Sequence, residues 1–434
     1  MIIVMARGNE AIWWPRIIEP GLSRRAQPEA RRPEEETVPV RDEAAKLAGE
    51  VAELRHAIHR EPEIGLDLPK TQRKVLAALD GLPLEISTGR KLTSVTAVLR
   101  GARPGPAVLL RADMDALPVT EATGLPYASQ IDGAMHACGH DLHTAMLAGA
   151  ARLLSERRAD LAGSVIFMFQ PGEEGYHGAR YMIEEGLLEA AGDRPASAYA
   201  LHVASYWLPS GTFTTRPGPM LAATDTLEVI VKGRGGHASV PHLNADPIPA
   251  ACEMVIALQT MVTRRFDVFD PVVITVGSMH SGTVNNVIPD EATFHATVRS
   301  YSQKARSRLE LESVRLVRDI AHAHGLEADA RYVPGYPVTV NDSAEAAFAA
   351  EVVSDMFGAG RAVPMPDPLT GGEDFSYVLE QVPGAFVMLG ACPPDADAET
   401  APSNHSAAAV FDDCVLADGA ALYAELALRR LVRA

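Results

Sequence analysis

The sequence contains few cysteines, and none of them is paired at a spacing typical of a zinc finger. Its 434 residues hold four, at Cys138, Cys252, Cys392 and Cys414, with no CxxC pair. Such sparse use argues against a disulfide framework and favours a reducing compartment. We therefore expect a cytoplasmic protein.

Long apolar runs and an excess of basic residues are also missing. No stretch approaches the roughly 20 apolar residues that a membrane helix requires. The opening residues, "MIIVMARGNEAIWWP", do not show the basic segment followed by an apolar one that is typical of a signal peptide. The formal net charge of −17 repels phosphate backbones and anionic lipid headgroups. The sequence thus predicts neither a nucleic-acid partner nor a membrane partner.

What is present is the composition of a globular protein, with 47% hydrophobic and 22% charged residues. A chain of 434 residues is too long for one core of ordinary size, so two domains are expected. Residues 1–40 mix proline with both charge signs and show no periodicity. We interpret them as a disordered N-terminal extension outside the fold.

The larger domain is predicted to be α/β. A helix begins near Asp42, and four short apolar runs typical of buried strands follow: "AVLLRADM", "GSVIFMFQ", "SAYALHV" and "AFVMLG". Helical segments such as "LHTAMLAGAARLLSE" separate them, which indicates a largely parallel sheet covered on both faces. Ligands bind at the carboxyl ends of such strands. Asp115, Glu173, Glu174 and His202 follow or end these runs, so we expect them at one edge of the sheet.

Residues 218–333 follow a different pattern, with elements in the order β-α-β-β-α-β. This order matches a small ferredoxin-like unit. Since α/β signals resume afterwards, the predicted organisation is a larger domain of residues 41–217 and 334–434 with an inserted α+β domain of residues 218–333.

The stretch "MHACGHDLHT" at 135–144 is the most concentrated chemical signal. Cys138 and His140 would diverge on a helix, but in a loop before Asp141 both can point at one centre. Sulfur and imidazole together suit zinc, with cobalt, nickel or manganese also compatible. Two other interpretations stay open: a cysteine nucleophile with His136 or His140 as its base, and a buried cysteine beside a helix cap.

The remaining candidates are ambiguous when each is taken alone. Adjacent carboxylates such as Glu173 and Glu174 in "FQPGEEG" repel each other unless a metal or a shared proton relieves them, although a helix N-terminus also favours glutamate. Asp115 would hold a ligating histidine or cap a turn. His202 and His405 would be ligands or ordinary structural histidines. Their common placement at strand ends favours one joint site.

Three further candidates lie in the inserted domain. His237 stands among glycines in "KGRGGHASVPH", which allows the backbone to approach a ligand closely. Asn286 lies in "GTVNNVIPDEA", and Arg299, in "ATVRS", would bind a carboxylate through two hydrogen bonds.

Several motifs together resemble a known family. The segments "LLRADMDALPV", "HACGHDLHTAML", "FQPGEEG", "GGHASVPH", "GTVNNVIPDEATFHATVRS", "GGEDFSYV" and "NHS" occur in the order seen in metal-dependent amidohydrolases. The chain resembles the hippurate hydrolase and indole-acetyl-amino-acid hydrolase branch of the aminoacylase and carboxypeptidase G superfamily. The resemblance runs from about Leu54 to the C-terminus.

That resemblance implies two divalent metal ions per chain, with Zn²⁺ preferred over Mn²⁺, Co²⁺ or Ni²⁺. It assigns Cys138 as the bridging ligand and Glu173 as the proton shuttle, and it gives Asp115 the task of orienting a metal-bound imidazole. The other ligands would be His140, Glu174, His202 and His405. The peptidase branches carry histidine where Asp113 stands and an aspartate bridge where Cys138 stands, which argues against classical exopeptidase activity.

The inserted domain would be a lid that also forms a homodimer. His237, supplied across the dimer, would polarise the scissile carbonyl, while Asn286 and Arg299 would engage the substrate. The function implied is hydrolysis of an amide bond in N-acyl amino acids or related small amides by an activated water. Two alternatives stay open: a metal-containing binding protein of the same fold without catalysis, and a cysteine hydrolase.

Overall fold

A computed structural model describes residues 38–433 of the chain. Almost all of the predicted N-terminal extension therefore lies outside the described residues. Within 38–433 there are nine α-helices: α1 Val40–His59, α2 Pro69–Leu79, α3 His140–Glu156, α4 Gly178–Glu184, α5 Pro247–Arg265, α6 Gln303–Ala323, α7 Ser343–Phe357, α8 Ser376–Leu379 and α9 Leu416–Arg433. None of these helices has the length and apolar character needed to cross a membrane.

The same residues form sixteen strands: β1 Leu84–Thr88, β2 Val95–Arg100, β3 Arg103–Asp113, β4 Ala162–Gln170, β5 Ser197–Pro209, β6 Phe213–Thr215, β7 Gly218–Leu221, β8 Ala223–Lys232, β9 Gly236–His237, β10 Val272–Ser281, β11 Val287–Ile288, β12 Glu291–Ser300, β13 Glu327–Val333, β14 Thr339–Asn341, β15 Ala362–Pro364 and β16 Gly384–Cys392. Eight of them make one sheet in the order β1-β2-β4-β3-β5-β16-β6-β15.

The centre of this sheet is the parallel set β4-β3-β5-β16. These are the four strands that the apolar runs predict, so the expected α/β architecture is confirmed. Strand β3 shows why the runs are continuous: Val108 and Leu110 belong to one hydrophobic core, whereas Ala107 and Leu109 belong to another. Because both faces of the sheet are covered, consecutive residues of a strand are all apolar.

The first core is formed with helices α1, α3 and α9, and the second lies under α4 and α8. Because β3 and β4 pair in parallel, their carboxyl ends lie at the same edge of the sheet. Strand β5 continues to Pro209, so His202 lies within the strand rather than at its end as the sequence suggested.

A separate antiparallel sheet has the order β10-β12-β8-β13, with α5 and α6 packed on it. In chain order the elements are β8-α5-β10-β12-α6-β13, which is the ferredoxin-like pattern expected from the sequence. This sheet and its helices span residues 223–333, here called the inserted unit, and have a hydrophobic core of their own. Short strands β7 and β14 pair beside the two chain connections that join the unit to the larger sheet.

Candidate metal centre

The loop before α3 places two candidate ligands side by side. Gly139 adopts φ 83° between Cys138 and His140, and a Cβ atom there would lie 2.3 Å from Val203 Cγ2. Only glycine fits this backbone conformation and this space. The sequence placed His140 in the loop before Asp141, but in the structure His140 is already the first residue of α3. Its Nδ1 donates to the main-chain oxygen of Asp115 over 2.8 Å, which leaves the Nε2 lone pair directed into the site.

Cys138 lies at the centre of the candidate ligands. Its Sγ is 3.4 Å from His202 Nε2 and 3.3 Å from His405 Nε2. Glu174 Oε1 lies 3.3 Å from His405 Nε2 and 3.9 Å from His140 Nε2. The ligand atoms of two triplets fall within 4.8 Å of one another, and the triplets share the cysteine: Cys138, His140 and His202 in one, and Cys138, Glu174 and His405 in the other. The structure therefore brings all five sequence-predicted ligands together.

The protonation of the His202 imidazole suits metal binding. His202 Nδ1 donates to the Val203 carbonyl over 2.9 Å, so Nε2 carries the lone pair that faces Cys138. Burial lowers the pKa of His202 well below its usual value, which keeps the ring neutral as a metal ligand must be. Among residues 38–433, His140 Nε2 is a buried nitrogen without a hydrogen-bond partner. A buried polar atom of this kind is costly unless a ligand satisfies it, so the residues present fit a bound cation.

His143 and Asp113 form another acidic and imidazole group, but their atoms are already used. His143 Nδ1 donates to Asp113 Oδ1 over 2.6 Å, and its Nε2 accepts from the main-chain N–H of Val203 over 2.8 Å. Asp113 Oδ2 accepts from Arg111 over 2.7 Å. This group supports α3 and β5 structurally.

The Asp115 carboxylate has a position that differs from the sequence interpretation. Its Oδ1 accepts the main-chain N–H of Glu173 over 2.9 Å, and its Oδ2 accepts that of Glu174 over 3.0 Å. The imidazole of His140 is held by the main-chain carbonyl of Asp115 instead. Asp115 therefore touches both halves of the site: the histidine through its backbone and the pair of glutamates through its side chain.

Glu173 is buried beside the ligands, and its carboxylate lies within 4.8 Å of ligand atoms of His140 and Glu174. Burial, together with the nearby carboxylates of Glu373 and Glu174, raises the pKa of Glu173 well above its usual value. A raised pKa makes the ionised carboxylate a stronger base, which suits a group that has to accept a proton and then release it.

A cavity of about 260 Å³ opens onto these groups. Its polar wall carries Cys138, Glu173, Glu174, His202 and His405, and its apolar wall includes Trp207, Leu221, Leu369, Phe386 and Met388. Two larger depressions, of about 710 and 410 Å³, lie on the surface of the inserted unit along α5, α6 and β13. No predicted catalytic or metal-binding residue lines either of them.

The three candidates of the inserted unit do not line the cavity of the described chain. His237 and Asn286 are exposed neighbours, joined where the Ala238 N–H donates to the Asn286 carbonyl over 3.1 Å. Arg299 is half-buried on β12, and its Nη1 donates to the Val298 carbonyl over 3.0 Å.

Sequence reasoning missed several residues that hold the site. Asn404 donates to the carbonyls of Cys138 and Val203 over 3.2 and 3.0 Å, and so ties the cysteine loop to β5. Arg111 is fully buried and bonds Asp113, Glu373 and Asp374 at once. Tyr336 contacts the main chain at Glu173 and Gly175. Arg111 and Asn404 lie within the motifs "LLRADMDALPV" and "NHS", but the local sequence does not show what either residue contacts, and no motif quoted above contains Tyr336.

The comparisons with known proteins agree with this geometry. Residues 109–429 match the model of peptidase family M20/M25/M40. The chain is 37% identical over 338 residues to the N-acetylcysteine deacetylase of Bacillus subtilis, covering 78% of this chain and 87% of that protein. It is 36% identical to the hippurate hydrolase of Campylobacter jejuni, with 90% and 98% covered. A thermostable carboxypeptidase of Saccharolobus solfataricus is 35% identical with the same coverage.

Among solved structures, the YXEP protein of Bacillus subtilis, described as a dinuclear metal binding peptidase, is similar to this chain with a TM-score of 0.77 and 33% identity. The similarity covers 89% of this chain and 99% of that one. The family resemblance predicted from the motifs is thereby confirmed.

Proposed function

The chain belongs to peptidase family M20/M25/M40, and from that premise we propose that it hydrolyses the amide bond of N-acyl amino acids or related small amides. The observation that carries this proposal is the shared position of Cys138 in two ligand triplets, directly beside the buried carboxyl group of Glu173. Two of its relatives are named for activities of this kind, a deacetylase of N-acetylcysteine and a hydrolase of hippurate.

The metal centre we propose holds two divalent ions, with Cys138 contributing to both. His140, Glu174, His202 and His405 complete the ligand set. A set of one thiolate, three imidazoles and one carboxylate suits Zn²⁺, with Mn²⁺, Co²⁺ and Ni²⁺ as the other candidates. When bound, such ions polarise a carbonyl oxygen and lower the pKa of water towards about 7.

Glu173 would move the protons of the reaction. Its carboxylate would take a proton from the attacking water and then deliver that proton to the nitrogen of the departing amine. The Asp115 carboxylate would hold the main chain of Glu173 and Glu174 in place through the two hydrogen bonds described above. The proposed proton shuttle, Glu173, and the proposed ligand, Glu174, would thus both be held by the Asp115 carboxylate.

The acyl group would lie against the apolar wall of the cavity. Trp207, Leu221, Phe386 and Met388 offer hydrophobic contact, and pockets of this composition bind mainly through apolar surface. His237, Asn286 and Arg299 would come from a second subunit, because in one chain they do not line the cavity. The proposal therefore includes a homodimer formed through the inserted unit.

The test uses protein stripped by a chelator, resupplied with single divalent ions and offered a panel of N-acyl amino acids. Metal-restored amine release is expected for a subset with apolar acyl groups. The Glu173→Gln variant should keep its metal and lose at least about 10²-fold in turnover, as general-base catalysis predicts. A near wild-type rate in that variant would refute the assignment of Glu173, and no release across the panel with metal bound would refute the substrate class.

The cysteine hydrolase alternative makes an opposite prediction. A cysteine nucleophile would be blocked by thiol alkylation and would work without metal. The third interpretation, a binding protein without catalysis, predicts binding of N-acyl amino acids without release of the amine.

A further inference from the structure

Tyr336 lies on the segment that returns from the inserted unit to the larger domain. Its side chain is buried, with 7% of its surface exposed. The hydroxyl donates a short hydrogen bond to the main-chain carbonyl of Glu173 and accepts the N–H of Gly175 over 2.7 Å. One hydroxyl group thus spans the turn that carries Glu173 and Glu174. Tyr336 does not line the cavity, so any effect on the reaction must pass through that turn.

The same segment is fixed to the inserted unit by a buried acidic residue. Asp225 of β8 accepts the N–H of Gly335 over 2.9 Å, the guanidinium of Arg306 over 2.7 Å and the hydroxyl of Tyr332 over 2.7 Å. Arg306 lies in the first turn of α6, and it also donates to the carbonyl of Gly335 over 2.9 Å. Both main-chain polar groups of Gly335 are therefore bonded to the inserted unit.

The first strand of the inserted unit, β8, is joined to the returning connection at the same point. The N–H of Thr224 donates to the Tyr336 carbonyl over 3.1 Å, and the N–H of Tyr336 donates to Thr224 Oγ1 over 3.2 Å. A Cβ atom on Gly335 would lie 1.8 Å from the Thr224 carbonyl oxygen, so the two segments are as close as glycine allows. A displacement of the inserted unit would consequently move Tyr336.

We propose that Tyr336 is a positioning residue that couples the inserted unit to Glu173. Its hydroxyl holds the main chain of the turn that carries Glu173, and its own main chain lies in the connection that Asp225 fixes to the inserted unit. This inference rests on the proposed function only in giving Glu173 a chemical role. Its physical content is that the position of the glutamate depends on the inserted unit. Misplacing a reacting group by about 1 Å can cost on the order of 10²-fold in rate, so the loss of the three hydrogen bonds that the Tyr336 hydroxyl makes with the main chain of Glu173, Gly175 and His177 should be visible in turnover.

The experiment compares Tyr336→Phe with Tyr377→Phe in metal-loaded, full-length protein. The first variant keeps the ring and removes the hydroxyl. The second removes the hydroxyl of a tyrosine whose ring contacts that of Tyr336; this hydroxyl bonds the His177 side chain over 3.0 Å. We expect Tyr336→Phe to lower kcat about 10- to 100-fold with KM within about twofold and metal content unchanged. Tyr377→Phe should stay within about twofold of the wild type.

Hydrogen exchange measured by mass spectrometry gives a readout that does not depend on activity. In Tyr336→Phe, the peptide covering residues 171–178 should exchange faster than in the wild type, whereas Tyr377→Phe should leave this peptide unchanged. Asp225→Asn, at a residue that does not line the cavity, should also speed exchange in residues 171–178, and the exposed Asp329→Asn should not.

Three results would overturn the inference: a kcat for Tyr336→Phe within twofold of the wild type, a loss of kcat that merely follows loss of metal, or unchanged exchange in residues 171–178. If Asp225→Asn speeds exchange only within the inserted unit, the Glu173 turn is not coupled to that unit. If the wild type hydrolyses no N-acyl amino acid, the proposed function fails, and the exchange data still decide whether Tyr336 positions the turn.

Discussion

The carboxylate of Asp115 caps the main chain of Glu173, with Oδ1 2.9 Å from its nitrogen. The second oxygen caps Glu174 over 3.0 Å. Each oxygen of one buried carboxylate therefore fixes one residue of a pair that the proposed mechanism divides into proton shuttle and ligand. The negative charge of Asp115 strengthens both hydrogen bonds, since charge-assisted bonds are the stronger ones.

This relationship predicts the effect of Asp115→Asn. An amide offers one oxygen acceptor, and its NH₂ group would face the second main-chain N–H. We expect metal affinity to fall about 10- to 100-fold, as for other residues that hydrogen-bond metal ligands without binding the metal themselves. Competition with a metal-binding dye measures the dissociation constant, and the exposed Asp132→Asn serves as the control. Equal affinities in the two variants would mean that the cap does not matter for the metal.

Cys138 should decide how many ions bind. Because its Sγ belongs to both ligand triplets, Cys138→Ala removes one ligand from each proposed ion. We expect elemental analysis after dialysis to show fewer than one tightly bound ion per chain, compared with two in the wild type. Cys414→Ala, which changes an exposed cysteine, should retain the wild-type value. A full complement of metal in Cys138→Ala would contradict a shared thiolate.

If two subunits share the site as proposed, two inactive variants should complement each other. His237 and Asn286 are exposed and stand outside the cavity of their own chain. His237→Ala should therefore lose turnover without losing metal, while His242→Ala, on the same exposed loop, should stay close to the wild type. Mixing His237→Ala with Glu173→Gln under conditions of subunit exchange should restore part of the activity, because some hybrid sites are complete. Absence of recovery after demonstrated exchange would count against a site built from two subunits.

Arg111 should matter for stability. Its guanidinium contacts Asp113 Oδ2 and Glu373 Oε1 over 2.7 Å each and Asp374 Oδ1 over 3.1 Å, and all four residues are buried. Arg111→Met leaves three buried carboxylates without their cation. Removing one partner of such a group costs about 3–5 kcal/mol in the free energy of unfolding. Urea unfolding should show this loss, whereas the exposed Arg73→Met should change stability by less than about 0.5 kcal/mol. A loss under about 1 kcal/mol would mean that the carboxylates do not depend on Arg111.

The sequence predicted the central strands because burial on both faces leaves a local mark. Residues 107–110 of β3 and 165–169 of β4 are continuously apolar, and the acidic residues of the candidate site follow within a few positions of each strand end. The five proposed ligands could likewise be selected from the sequence, since each of them is a residue type that binds metal. What makes them one site is the parallel order of the strands, which the pattern of the chain implies.

Supporting contacts could not be predicted in the same way. Tyr336 reaches Glu173 across 163 residues, and Asn404 reaches Cys138 across 266. A tyrosine or an asparagine in a loop has many ordinary uses, and no local period records a partner so far away. His202 was placed at a strand end because the apolar run stops near it, but β5 continues to Pro209, which pairs with Cys392 of β16 beyond an irregularity in the register after Ala204.

His59, the last residue of α1, is buried and contacts α3 through Asp141. Its Nδ1 lies 2.8 Å from Asp141 Oδ2, and its Nε2 lies 3.2 Å from Glu121 Oε2. Burial alone lowers the pKa of His59, but the carboxylates of Asp141 and Glu121 outweigh it and raise the pKa to about 9. In the unfolded chain the pKa is near 6.5, so the folded state holds the proton more tightly.

The stabilisation from protonated His59 is therefore fully present below about pH 6.5 and is lost as the pH rises through about 9. The difference in pKa corresponds to about 3 kcal/mol in the free energy of unfolding. Urea unfolding of metal-free protein between pH 6 and pH 10 should show wild type and His59→Gln converging at high pH, since only the wild type loses this contribution. His324→Gln, at a partly exposed histidine paired with Glu253, should run parallel to the wild type. A constant difference between wild type and His59→Gln across this range would mean that His59 stays neutral, and that Asp141 is balanced by Arg55 alone.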